Sequence, residues 1–327
     1  MVDSCSPRLA SSALSPSVLS PSVLSPTASA RARPRIAVPT GVWLALMVLF
    51  WGLSWPAMKL CLAAAPPLWL AALRFSSAGA VLFGLLALGG RLRWPPRADW
   101  PVLASVGLLQ MMAFTALGLI AMRHTDAGRA ALLAYTTPVW VLLGTCLVLR
   151  GRPSPRQGLA ILLGLVGVAV VCSPMGMDWT DPDVLLGNGL LLFCALCWAG
   201  VILHVRHHRW QSRPLDLAPW QMLLAAVPLA VAAFAVEGPL AVAWSPRLIG
   251  LLVFIGPVAT SFCFVIFATV GRRIDSFTMA NATLGVPAVG LLSSALLLGE
   301  RLGPALLIGL GCLAAALVTA AQDARRA

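Results

Sequence analysis

Ten apolar runs, each close to the length that crosses a hydrocarbon layer and separated by short polar turns, leave this chain few ways to fold. They lie at about 42–62, 67–89, 101–121, 127–149, 156–173, 185–204, 217–237, 247–270, 276–298 and 303–321. At 1.5 Å per residue, about 20 residues of helix cover the roughly 30 Å of a bilayer core. Hydrocarbon offers no hydrogen-bond partners, so each run must satisfy its backbone internally, which selects helices. Hydrophobic residues make up 59% of the chain and charged residues 10%, too little charge to keep a soluble domain dispersed. The expected fold is an all-α integral membrane protein with ten transmembrane helices and the lipid bilayer as its surroundings.

The runs are not independent of one another. DAGRAALLAYTTPVWVLLGTCLVLRGRPSP, from Asp126 to Pro155, shares its layout with DSFTMANATLGVPAVGLLSSALLLGERLGP, from Asp275 to Pro304. Asp126, Pro138, Arg152 and Pro155 map onto Asp275, Pro287, Arg301 and Pro304 with one offset of 149. Trp51-Gly52 in the first run corresponds to Trp198-Ala199 in the sixth with an offset of 147, a difference that loop length absorbs. The chain therefore reads as two related halves of five spans. Five is odd, so the second half enters from the opposite side, and the halves become inverted repeats.

Outside the spans the sequence changes character. LSPSVLSPSVLSP (Leu14 to Pro26) is a Ser/Pro repeat followed by a basic RARPR, Arg31 to Arg35. It has little to bury, so residues 1–40 are expected to be a disordered cytoplasmic tail, unless the start codon lies further downstream. The first repeat is expected over 41–173, an outer loop over 174–184, the second repeat over 185–321 and a short cytoplasmic tail over 322–327. Most of the 23 basic residues fall on one side if the N-terminus is inside, and the 174–184 turn carries Asp178, Asp181 and Asp183. Both termini are then expected in the cytoplasm, in a cell inner membrane. The net charge of +12 comes from arginines that punctuate the apolar runs, so no nucleic-acid partner is expected.

The residues at several turns and helix ends resemble those of a known family. FWGLSWPAMK (Phe50 to Lys59), LRF (Leu73 to Phe75), PVW (Pro138 to Trp140) and LLLGERLGPALLIGLG (Leu296 to Gly311) are similar to motifs of the EamA family of the drug/metabolite transporter superfamily. The likeness covers nearly all of residues 42–321. It implies ten helices in inverted five-helix repeats, cytoplasmic termini, and export of amino acids, nucleosides or other small metabolites and drugs. The first half departs from the pattern: Arg150-Gly151-Arg152 stands where many relatives have a Gly-Glu-Arg turn, leaving Glu300 as the acidic group.

Polar and aromatic residues inside the spans are the candidates for a substrate pathway. Helix 1 places Trp51, Ser54, Trp55 and Met58 on one face by helical spacing, and helix 6 repeats it with Cys194, Cys197, Trp198 and Val201. Trp51 and Trp198 could flank a cavity, or face lipid at the interface. Gln110, Tyr135 and Asn281 must find partners in the bundle, as pathway residues or as interhelical glue; the Thr and Ser residues are expected to be glue. Arg74 lies about 10 Å into its span. It pairs with carbonyls or Glu300, or it binds an anionic substrate group. Lys59, nearer the end of helix 1, reads as an exposed anchor. Pro138 and Pro287 break equivalent helices and are expected hinges, with a packing kink as the alternative.

Other classes fit less well. Catalytic residues, cofactors and metal ligands are not expected: there is no G-x-S-x-G and no HExxH. The four histidines sit at span ends or in loops, and the Cys194/Cys197 pair has no charge nearby to activate a thiolate. An intramembrane enzyme or a membrane-embedded sensor or assembly subunit is therefore the weaker reading. The expected partner is a small-molecule substrate. Ala160–Gly164 and Gly311–Ala315 mark close helix contacts, either within one chain or in a homodimer.

Overall fold

The computed structural model describes residues 39–147, 154–173, 178–270, 282–283 and 285–324. Helices account for most of them, and no strand occurs among the described residues. Seven are long and apolar enough to cross a membrane: α1 (Thr40–Cys61), α2 (Pro67–Leu88), α3 (Arg97–Ala121), α4 (Ala127–Leu147), α6 (Pro182–His207), α7 (Pro214–Glu237) and α8 (Pro246–Phe267). Three further apolar helices are α5 (Pro155–Val171), α9 (Gly285–Leu298) and α10 (Pro304–Ala324). The chain is a multi-pass membrane protein. Large apolar side chains such as Leu85, Leu88, Phe234 and Leu296 project outward, as lipid-facing helices require.

Proline sets most of the starting points. α2, α5, α6, α7, α8 and α10 each begin on proline, whose missing N–H would have been unpaired at that position anyway. Ser154 completes a capping box with Gln157, and Ser245 accepts from Leu248 N. Two other starts are capped from far away in sequence. Glu237, at the end of α7, accepts from Leu68 N at 2.8 Å and Trp69 N at 3.0 Å. Glu300, just after α9, accepts from Ala127 N at 2.7 Å and Gly128 N at 2.9 Å. Both carboxylates thus sit at the positive end of another helix. Gly238 (φ 80°) and Gly299 (φ 70°) adjoin these glutamates and supply a turn that other residues resist.

The packing respects the duplication. α2 lies against α7 and α5 against α10, pairs that map onto themselves when the halves are exchanged. α1 lies against α9 as α6 lies against α4, and α3 packs on α6 and α7 as α8 packs on α1 and α2. Small residues allow the close approaches: a methyl on Gly290 would meet Ala131 Cβ at 2.9 Å, and Gly52 admits Val289 between α1 and α9. Gly164 receives Val139, and Gly167 and Gly309 bring α5 onto α10. The Ala160–Gly164 contact is therefore internal, while Gly311 and Ala315 are exposed, with open space beside Gly311.

A further match appears in local geometry. Ser105–Ala113 in α3 and Phe254–Phe262 in α8 are both π-helical, nine residues each, and are separated by the same offset of 149. Long π segments are rare and concentrate where helices do something other than pack. Nothing in the composition of SVGLLQMMA or FIGPVATSF announces them.

Candidate functional site

A cavity of about 130 Å³ opens where these helices converge. Trp51, Ser54, Trp55 and Met58 line it from α1, Arg74 and Phe75 from α2, and Gln110, Met111, Phe114 and Thr115 from α3. Tyr135 enters from α4, Trp198 from α6, and Ala259, Thr260 and Phe264 from α8. Both π-helical stretches contribute, at equivalent positions: Gln110 and Met111 answer to Ala259 and Thr260 across the repeat.

Five residues singled out by sequence, Trp51, Arg74, Gln110, Tyr135 and Trp198, thus share one cavity wall. Asn281 lies outside the described residues. Trp198 is held edge-on by Phe114 (centroids 5.2 Å apart) and Tyr135 (5.8 Å), contacts that contribute about 1 kcal/mol each. Trp51 has a separate neighbour, Phe267, at 5.9 Å. The expected symmetry of the two helix faces stops at the indoles. Cys194 is buried with its Sγ against the Phe114 carbonyl, and Val201 is buried in the core, so α6 offers the cavity Trp198 alone.

The break in α4 falls at Tyr135–Thr136, ahead of Pro138. Pro138 has no N–H for the Ala134 carbonyl, and the Thr137 hydroxyl donates to that carbonyl instead at 2.8 Å. The Thr136 hydroxyl donates to the Leu133 carbonyl at 2.7 Å, and Trp140 Nε1 donates to Thr136 Oγ1 at 3.0 Å. The two threonines, expected as interhelical glue, instead bond within α4 itself, and the interruption they stabilise turns Tyr135 into the cavity wall. Pro287 is buried in the first turn of α9.

Arg74 does not pair with Glu300, whose oxygens are occupied by the start of α4. Its Nε donates to Thr260 Oγ1 at 2.9 Å and its Nη1 approaches Met58 Sδ at 2.9 Å, with Phe75 beneath the guanidinium at 5.7 Å. The Thr260 hydroxyl donates to Ile255 O at 2.7 Å, five residues back along the π stretch, which turns a lone pair toward Arg74. Thr260, expected as glue, is both glue and cavity wall. Lys59 is also not an exposed anchor: its half-buried ammonium donates to the Met122 and Thr125 carbonyls at the end of α3.

Phe75, Met111, Ala259 and Phe264 escape a reading of the sequence, since an apolar residue in an apolar run carries no mark of facing a cavity. One signal could have found two of the wall residues of α8. Applied to Gln110, the repeat offset points to Ala259 and its neighbour Thr260.

Comparison with known proteins places this architecture. The model of the EamA-like transporter family matches residues 39–173 and again 185–321. The chain is 26% identical over 271 residues to YvbV of Bacillus subtilis, an uncharacterized transporter, covering 83% of this chain and 88% of that one. It is 30% identical over 273 residues to a protein of Escherichia coli named "Probable amino-acid metabolite efflux pump", covering 80% and 88% respectively. A solved crystal structure superimposes with a TM-score of 0.61 at 21% identity, over 88% of this chain and 97% of that chain, which speaks to the fold. With both halves matched by one family model, the chain belongs to the EamA-like transporter family.

Proposed function

We propose that this chain is an inner-membrane secondary transporter that exports a small metabolite by alternating access. In this reading all ten apolar helices cross the bilayer as two inverted five-helix repeats over 41–173 and 185–321, with both termini in the cytoplasm. The observation that carries it is the cavity, walled by residues from equivalent positions of both halves: Trp51 with Trp198, Gln110 with Ala259, Met111 with Thr260. A site built at a repeat interface can be exposed to either side by rocking one half against the other. The interruption at Tyr135–Thr136, one turn from Pro138, is the natural place for α4 to flex, and Pro287 its counterpart in α9. The efflux name of the Escherichia coli relative supports export as the direction.

The test is counterflow in proteoliposomes, with amino acids and their deaminated and decarboxylated derivatives as the panel. At least one should exchange, and Trp51→Ala with Trp198→Ala should abolish exchange while the protein is still recovered in the membrane. No exchange for any compound, with folded protein in the vesicles, would overturn the proposal. Reporters active only in the cytoplasm should work at the C-terminus and in the 208–213 turn and fail at residue 180.

A further inference from the structure

The proposal just made leaves the substrate class open, and the cavity's charge narrows it. Arg74 is the single ionised side chain on the cavity wall among the described residues; no Asp, Glu, Lys or His joins it. It takes part in no ion pair among the described residues. A guanidinium stays protonated under all ordinary conditions and carries five N–H donors, two of which meet Thr260 and Met58. Holding an uncompensated cation in an apolar bundle is costly, and an incoming anion offsets that cost.

The uncommitted polar groups around it have the same bias. The indole N–H groups of Trp51 and Trp198 and the Tyr135 hydroxyl have no hydrogen-bond partner among the described residues, and all can donate. Gln110 alone adds a carbonyl oxygen that can only accept. The rest of the wall is largely aromatic or thioether, as at Phe114, Phe264, Met58 and Met111, with two uncharged hydroxyls from Ser54 and Thr115. From this we infer that the cavity selects organic monoanions, compounds with one carboxylate on Arg74 and an apolar or aromatic body among these side chains, over zwitterions and cations of the same shape. An amino group would find no anionic partner among the described residues of the wall. Thr260 is a positioning residue: with its own proton given to Ile255 O, it fixes the plane of the guanidinium.

This rests on the transporter reading, and the experiment separates the two. Isothermal titration calorimetry on the purified full-length chain would compare 3-phenylpropanoate, phenylalanine, 2-phenylethylamine and 3-phenylpropanol. The first should bind about tenfold or more tighter than phenylalanine and the amine, the strength of a hydrogen-bonded charge contact. Arg74→Gln should remove that advantage and leave 3-phenylpropanol within about threefold of wild type. Arg74→Lys should restore part of it, and Thr260→Val should weaken the carboxylate alone, so a poorly folding Gln variant does not decide the matter. Phenylalanine or the amine binding as tightly as 3-phenylpropanoate would overturn the charge selection while leaving transport intact. No binding of any of the four to folded protein would overturn the cavity as a binding site, and the transporter mechanism built on it.

Discussion

Glu300 offers a sharp test of how the second half is fastened to the first. Its two carboxylate oxygens accept from Ala127 and Gly128 at 2.7 and 2.9 Å, at the positive end of α4. A hydrogen bond to a charged group contributes about 1.5–3 kcal/mol, and two would sum to about 3–6 if they were independent and fully buried. They share one carboxylate, and Glu300 is only half-buried, so water can replace part of what is lost. Glu300→Ala is therefore expected to lower unfolding stability by about 2–3 kcal/mol. Glu300→Gln, which keeps one acceptor oxygen and loses the charge, should cost about 1 kcal/mol. The assay is a reversible denaturant titration in mixed micelles, followed by circular dichroism. Glu237→Ala, with the same geometry on Leu68 and Trp69, serves as an internal replicate. Because Glu300 is not the partner of Arg74, Glu300→Gln should leave binding of an anionic probe unchanged. Stability of Glu300→Ala within about 0.5 kcal/mol of wild type would refute the capping argument. Loss of anion binding in Glu300→Gln would refute the assignment of its partners.

Two further outcomes are expected. Gly52→Val should destabilise by about 1–3 kcal/mol or prevent recovery, since Val289 already fills the space, whereas Gly311→Val should be neutral in the same titration. In proteoliposomes with the membrane potential clamped, an imposed pH gradient should change flux little, because no Asp, Glu or His lines the cavity among the described residues. Uphill accumulation driven by that gradient would reveal a relay elsewhere.

Much of the architecture is legible in local signals. Apolar runs of spanning length need no tertiary context, and the offset linking Asp126 to Asp275 needs only counting. Arg74, Gln110, Tyr135 and the two tryptophans stand out because each is unusual inside an apolar run. The remainder depends on long-range geometry. Glu237 and Glu300 reach helix starts more than 160 residues away, and nothing near either glutamate marks its target. Pro138 announces an interruption, but its place at Tyr135–Thr136 depends on which side chains can take up the freed carbonyls. Phe75 and Phe264 differ from lipid-facing phenylalanines only in what surrounds them.

The paired π-helical stretches have a consequence for how this chain tolerates change. In an α-helix one residue more or fewer turns everything beyond it by about 100°. A π turn holds about one residue more than an α turn, so if Ser105–Ala113 reverted to α-helical bonding with its length unchanged, Phe114 and Thr115 would swing away from their present direction relative to Arg97–Ala104. The same reversion in Phe254–Phe262 would swing Phe264 relative to Pro246–Val253. Each stretch therefore fixes the rotational phase between the two ends of its helix. A single-residue deletion there, taken up by reversion to α-helical bonding, should disturb the side chains facing the centre of the molecule less than the same deletion in the α-helical parts of α3 or α8.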